Sequence, residues 1–257
     1  MTVRETIIET QNLTKYFGAL AAVDDVSIKI EAGTLHAIIG PNGAGKTTFF
    51  NLLSGNLKPT SGKVFYKGVD LTGKPIHRMI HLGMGRSFQI TNIFPNLTVH
   101  ENIRLASQAM EDKNFRFLMD TAKMDRCEER TAEVVEKVGL KSQTLLPARM
   151  LSHGDQRKLE LGMILAPDPE LLLLDEPTAG MATDQVPELI TLIQEVQQSG
   201  TKTVILVEHN MNVVMSVSDK ITVMHQGKVL AEGTPAEIAT NHEVQTAYLG
   251  GLYDLKL

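Results

Sequence analysis

The chain has 257 residues, 42% of them hydrophobic, and its 25 Lys and Arg against 30 Asp and Glu give a net charge of −5. That length suits one large α/β domain carrying an insertion, and the apolar content excludes a disordered chain. The acidic balance argues against a protein built to hold nucleic-acid phosphates, and the single cysteine, Cys127, excludes an internal disulfide and fits a reducing, cytoplasmic setting.

Residues 7–13 and 26–30 alternate as half-buried strands, and Leu35–Ile39 is a short, mostly apolar run that stops at Gly40. Lys46–Leu53 then takes helical spacing, and the turn Lys58-Pro59-Thr60-Ser61-Gly62 precedes a strand over 63–66. From about residue 86 to 166 the pattern is helical. Val99, Ile103 and Ala106 recur on one face, Val134, Val135 and Val138 on another, and a third stretch from Ser152 carries Leu159, Met163 and Ile164. This block reads as a helical insertion in an α/β core. The core resumes with a strand over 171–174, a helix faced by Val186, Leu189, Ile190, Ile193 and Val196, and strands at Thr203–Val207 and 220–224. Thr234-Pro235-Ala236-Glu237 combines a capping box with proline at the first helical position, which predicts a short helix. No apolar run reaches the roughly 18 to 20 residues of a membrane helix, and the first residues lack the apolar core of a signal peptide. The expectation is a cytoplasmic chain able to dock on a membrane protein.

Three motifs carry chemistry. Gly40-Pro41-Asn42-Gly43-Ala44-Gly45-Lys46-Thr47-Thr48 fits the P-loop pattern at every fixed position, between an apolar strand and a helix. Its glycines let successive N–H groups turn onto phosphates, and the helix adds the positive end of its dipole. Lys46 reaches the β and γ phosphates in such a loop, the Thr47 hydroxyl ligates Mg²⁺, and Thr48 stands ready for a further phosphate contact. The second motif is the apolar strand 171–174 ending in Asp175 and Glu176. On its own this is an acidic turn; beside a P-loop, Asp175 suits Mg²⁺, and Glu176, one residue further on, suits the base that polarises attacking water. The third is Leu151-Ser152-His153-Gly154-Asp155-Gln156, which opens a helix with Ser152 as N-cap and Asp155 at the capping-box position.

Together these residues resemble the ATP-binding cassette (ABC) ATPases from about residue 7 to 249, the third motif corresponding to that family's signature, usually read L-S-G-G-Q. The resemblance implies more site residues. Gln89, in Arg86-Ser87-Phe88-Gln89, matches the Q-loop that lies between Mg²⁺ and the membrane subunits, and His209 matches the switch histidine. Tyr16-Phe17-Gly18 lies where the family stacks an aromatic ring on adenine, with Phe17 favoured over Tyr16 by spacing. Ser152, Gly154, Asp155 and Gln156 face the γ-phosphate held by a second copy or a sibling subunit. Two departures stand out: His153 occupies the place of the first signature glycine, and residues 177–182 lack the aspartate usual in the family's D-loop, although Asp184 follows.

The His-Gly-Asp-Gln signature, the Ala179-Gly180-Met181 turn, the tract 88–95 and the ending 232–237 with 247–250 resemble one branch: ATP-binding subunits of branched-chain amino acid importers and their amide and urea relatives. That branch implies an α/β P-loop ATPase, residues 1–257 as a single ABC domain, using ATP and Mg²⁺. It also implies two membrane-spanning permease subunits, a second ATP-binding subunit, an extracytoplasmic substrate-binding protein and no nucleic acid, with the chain on the inner face of the membrane. The ATPase of a lipopolysaccharide-type exporter, a non-transport ABC protein and a P-loop kinase stand as alternatives.

Overall fold

The computed structural model describes residues 5–87, 93–108, 121–199 and 202–249. In chain order, β1 (Thr6–Phe17), β2 (Leu20–Val26) and β3 (Lys29–Glu31) lead into β4 (Leu35–Ile39) and α1 (Lys46–Leu53). Strands β5 (Ser61–Tyr66), β6 (Val69–Asp70) and β7 (Met84–Arg86) precede the helices α2 (Val99–Gln108), α3 (Thr121–Lys137) and α4 (His153–Leu165). Then come β8 (Leu171–Asp175), α5 (Val186–Gln198), β9 (Thr203–Val207), α6 (Met211–Val217), β10 (Lys220–His225), β11 (Lys228–Gly233), α7 (Pro235–Thr240) and α8 (His242–Leu249).

Most elements lie where the periodicity put them, but the expected strand over 26–30 is corrected. The chain leaves β2 at Val26 and enters β3 at Lys29. The cause is the side chain of Thr10 on β1: its Oγ1 donates to Val26 O at 3.0 Å and accepts the Ile28 N–H at 3.0 Å. A hydroxyl thus stands in for a rung of the ladder and splits the run in two.

One sheet is antiparallel, in the order β2-β1-β5-β6 with β3 also paired to β1. The other runs β11-β10-β4-β9-β8-β7; its strands are parallel except β11, which pairs antiparallel with β10. Both faces of the parallel sheet are covered, so its strands are apolar throughout rather than alternating. Leu171 and Leu173 of β8 face a core shared with Phe49 and Phe50 of α1 and with Ile8, Leu13 and Ile30 of the antiparallel sheet. Leu172 and Leu174 face the opposite core, formed with Leu189, Ile193 and Val196 of α5 and Leu159 of α4. Helix α1 is therefore wedged between the sheets, which fixes the loop that precedes it.

Helices α2, α3 and α4 share the second core through Val99, Ile103, Val134, Val135, Val138 and Leu159. Arg130 of α3 donates to the carbonyls of Leu165 (2.8 Å) and Ala166 (3.2 Å), where a cation suits the negative end of α4. It also pairs with Asp168, which Lys202, just before β9, reaches at 2.6 Å. The helical block is so braced against the parallel sheet. No helix among the described residues is long and apolar enough to cross a membrane.

Candidate active site

Parallel strands all present their C-terminal ends to one edge, which is where open α/β sheets gather ligands. Here β4, β8 and β9 are neighbours, and they end at Ile39, Asp175 and Val207. The loop from β4 to α1 needs glycine at two points for want of room. A Cβ on Gly40 would stand 2.2 Å from Met224 O, and one on Gly45, at φ +99°, would stand 2.2 Å from Ala22 O. Among the described residues no side chain caps the N-terminus of α1, so its first N–H groups remain available to an anion.

Lys46 is buried, and its ammonium donates to Gly40 O at 2.6 Å and Pro41 O at 3.1 Å. Burial lowers its pKa, while the charges of Glu176 and Asp175 pull it back up. Two of its three donors hold the loop's own carbonyls, so the lysine both shapes the loop and carries its charge.

Asp175 closes β8 at 3% exposure, and its N–H donates to Ser87 Oγ at 2.8 Å. Among the described residues, neither carboxylate oxygen has a hydrogen-bond partner. Burial, then the neighbouring charge of Glu176, pushes its pKa up to about 6, against the pull of Arg86, His209 and Lys46. Two buried, unpartnered carboxylate oxygens are the hard donors that a Mg²⁺ ion or its waters take up, so the residues present fit that ion. Next to it the backbone turns left-handed: Glu176 has φ +50°, and its N–H donates to Val207 O at 2.9 Å. Beyond that turn Glu176 meets His209, whose Nε2 lies 2.5 Å from Glu176 Oε1. An ionised carboxylate only accepts, so this pairing requires the proton on Nε2.

Lys46, Glu176 and His209 border a cleft of about 680 Å³ lined by residues 42–48, Phe17, Leu20 and Gln226 as well, while Asp175 is buried behind it and does not line it. Gly40 and Pro41 stand behind it as acceptors for Lys46. Of the two aromatics, Phe17 lines the cleft and Tyr16 does not. Gln89 lies outside the described residues. Ser152, Gly154, Asp155 and Gln156 are not brought to this cleft. Ser152 caps α4, accepting the Asp155 N–H at 3.1 Å and donating to Asp155 Oδ2 at 2.9 Å, and Gln156 Nε2 donates to Leu151 O at 3.1 Å.

Sequence reasoning overlooked Leu20 and Gln226, which have no motif and reach the cleft only because β2 and the β10–β11 turn fold over the loop. It also overlooked Arg86, whose guanidinium lies over Phe50 and donates to Asn51 Oδ1 at 2.5 Å and to Ser54, and Glu208, buried at the end of β9.

Comparison with known proteins gives the same picture. Residues 23–179 match the family model described as ABC transporter, and residues 228–254 match one described as branched-chain amino acid ATP-binding cassette transporter. The chain is 39% identical over 251 residues, 96% of its length and 98% of the relative's, to the high-affinity branched-chain amino acid transport ATP-binding protein LivG of Salmonella typhimurium. A solved ATP-binding cassette of an ABC transporter superposes with a TM-score of 0.84 at 30% identity, covering 95% of this chain and 99% of that one. A dimeric cassette in a post-hydrolysis state, bound to ADP and Pi, superposes with a TM-score of 0.75 at 25% identity, covering 89% and 99%. With a P-loop cleft at the ends of its parallel strands and a match along nearly its whole length, the chain belongs to the ATP-binding ATPases of ABC transporters.

Proposed function

We propose that this chain hydrolyses ATP to power an importer of branched-chain amino acids. The observation that carries the substrate class is the match of residues 228–254, a segment outside the P-loop core, to the branched-chain cassette model. In this reading the chain is one ABC domain, with a helical subdomain at about 86–166. It lies on the inner face of the membrane beneath two permease subunits, pairs with a second ATP-binding subunit, and serves an extracytoplasmic substrate-binding protein.

The residues divide the work. Residues 40–48 cradle the phosphates, Lys46 supplies charge, and Phe17 stacks on the base. Asp175 and Thr47, with Gln89, would hold Mg²⁺, which would supply positive charge to offset that of the phosphates. Glu176 takes a proton from the water in line with the γ-phosphate, and His209 steadies that carboxylate through Nε2. The Ser152 hydroxyl, once released from Asp155, and the N-terminus of α4 serve the nucleotide of the paired subunit; neither lines this chain's own cleft.

The test is reconstitution with two permease subunits and a binding protein in vesicles. ATP-driven uptake of leucine, isoleucine or valine is expected. Uptake of urea or an amide instead, or outward movement of lipid, overturns the substrate class and leaves the ATPase standing.

A further inference from the structure

Past the last rung of the ladder between β8 and β9, where Asp175 faces Val207, the chain splits into two loops. One carries Glu176 and the other carries His209. Glu208, the residue before His209 on the second loop, is 3% exposed, a poor place for a carboxylate unless its oxygens are taken up by donors. They are. Its Oε1 accepts the Thr178 N–H at 3.1 Å and the Thr178 hydroxyl at 2.6 Å, and its Oε2 accepts the His209 N–H at 3.0 Å. Among the described residues, the other hydrogen bonds joining the two loops are Glu176 N–H to Val207 O and the Glu176–His209 pair itself.

We propose that Glu208 is a positioning residue for ATP hydrolysis, a buried clamp that sets the turn after Glu176 and the backbone of His209 in one register so that those two side chains meet. The proposal rests on reading Glu176 as the base. It follows from the count of acceptors. The two Thr178 donors tie Glu208 across to the turn after Glu176, the His209 N–H fixes the other oxygen within its own loop, and only a carboxylate has an accepting oxygen for both sets. An amide of the same shape keeps one accepting oxygen and turns an N–H towards a donor of the other loop. With a loop displaced, Glu176 and His209 lose a 2.5 Å contact, and misplacement of a catalytic group by about 1 Å is worth roughly 10²-fold in rate.

The experiment uses the full chain with Mg-ATP. Glu208→Gln is expected to lower kcat about tenfold or more while KM and the affinity for a non-hydrolysable ATP analogue stay within about twofold, the pattern of a lost transition-state arrangement. A double-mutant cycle separates this from general loosening. Added to His209→Ala, Glu208→Gln should cost less than about twofold further in single-turnover rate, because the pair it serves is already gone. A wild-type kcat in Glu208→Gln, or its full loss repeated in the His209→Ala background, overturns the positioning role. Normal turnover in Glu176→Gln overturns the base reading instead, which is a separate failure. If Glu208→Gln does not fold, Thr178→Val removes the 2.6 Å hydroxyl bond and leaves the carboxylate. It should lower kcat by a smaller factor at unchanged KM, and an unchanged kcat there overturns the clamp.

Discussion

The P-loop cleft and the signature end of α4 carry equal weight in the motif pattern, yet they are built differently. Around the cleft, the loops that follow β4, β8 and β9 converge because parallel strands end on one edge, and some of the polar atoms they gather have no partner among the described residues. Asp175 keeps two unpartnered oxygens and α1 keeps uncapped N–H groups. At the signature end the polar atoms are engaged with one another. Ser152 holds Asp155, and Lys158 lies 3.4 Å from Asp155 and 2.6 Å from Glu188 of α5. The cleft is a site waiting for charge, whereas the signature is a capped helix end. On the proposed pairing, one chain offers two half-sites rather than one whole site.

The sharpest way to break that contrast is Glu176→Gln. Removing a positioned base costs about 10²–10⁴-fold in rate, while the phosphate determinants are untouched. ATP should persist and bring two signature-bearing surfaces together, which size exclusion with and without ATP reads directly. Normal turnover removes Glu176 from the role of base; an inactive chain that stays single with ATP alone but pairs when a sibling ATP-binding subunit is added shows that the second surface belongs to that sibling. Next in size is Lys46→Ala. It removes a charged donor, worth about 1.5–3 kcal/mol, so equilibrium nucleotide titration should show affinity weakened by about tenfold or more. Equal affinity in mutant and wild type would falsify the phosphate reading of the loop.

The two regions were also unequally legible. Residues 40–48 and 171–176 could be read because a loop that wraps phosphate and a strand buried on both faces each leave a local pattern. Helix α1 and strands β4 and β9 have the expected bounds for the same reason. Strand β2 escaped because Asp24 and Asp25 interrupt its apolar alternation and Asp25 takes φ +56°, and the split of 26–30 came from a threonine sixteen residues away from Val26. Glu208 escaped for a related reason: a carboxylate beside a histidine carries no local signal that it is buried. The engagement of Ser152 with Asp155 was half legible, since spacing gave the N-cap but not the donation of the hydroxyl.

A smaller effect sharpens the cleft itself. Phe17 lines it at 48% exposure, beside Leu20 at 67%, whereas Tyr16 does not line it. Stacking on a base is worth about 1–3 kcal/mol, and an open, half-exposed ring belongs near the lower end of that range. Phe17→Ala should therefore weaken nucleotide binding by a modest factor and Tyr16→Ala by less. The reverse order, read by the same titration, transfers the stacking role to Tyr16.

The smallest expected effect concerns Asp155, and here two measurements should move in opposite directions. A carboxylate in the first turn of α4 stabilises the helix by about 0.3–1 kcal/mol through its dipole. It also holds the Ser152 hydroxyl and, on the proposed pairing, places negative charge where the phosphates of a paired subunit would arrive, with Lys158 3.4 Å away. Asp155→Asn keeps the backbone N–H that Ser152 caps and removes the charge. Thermal stability should fall slightly, because the dipole loses its partner. ATP-dependent pairing in a Glu176→Gln background should strengthen, because Ser152 can release its hydroxyl to phosphate and the like charges no longer oppose one another. If pairing weakens together with stability, Asp155 serves the incoming nucleotide by shaping the helix end, and the repulsion it brings is the lesser term.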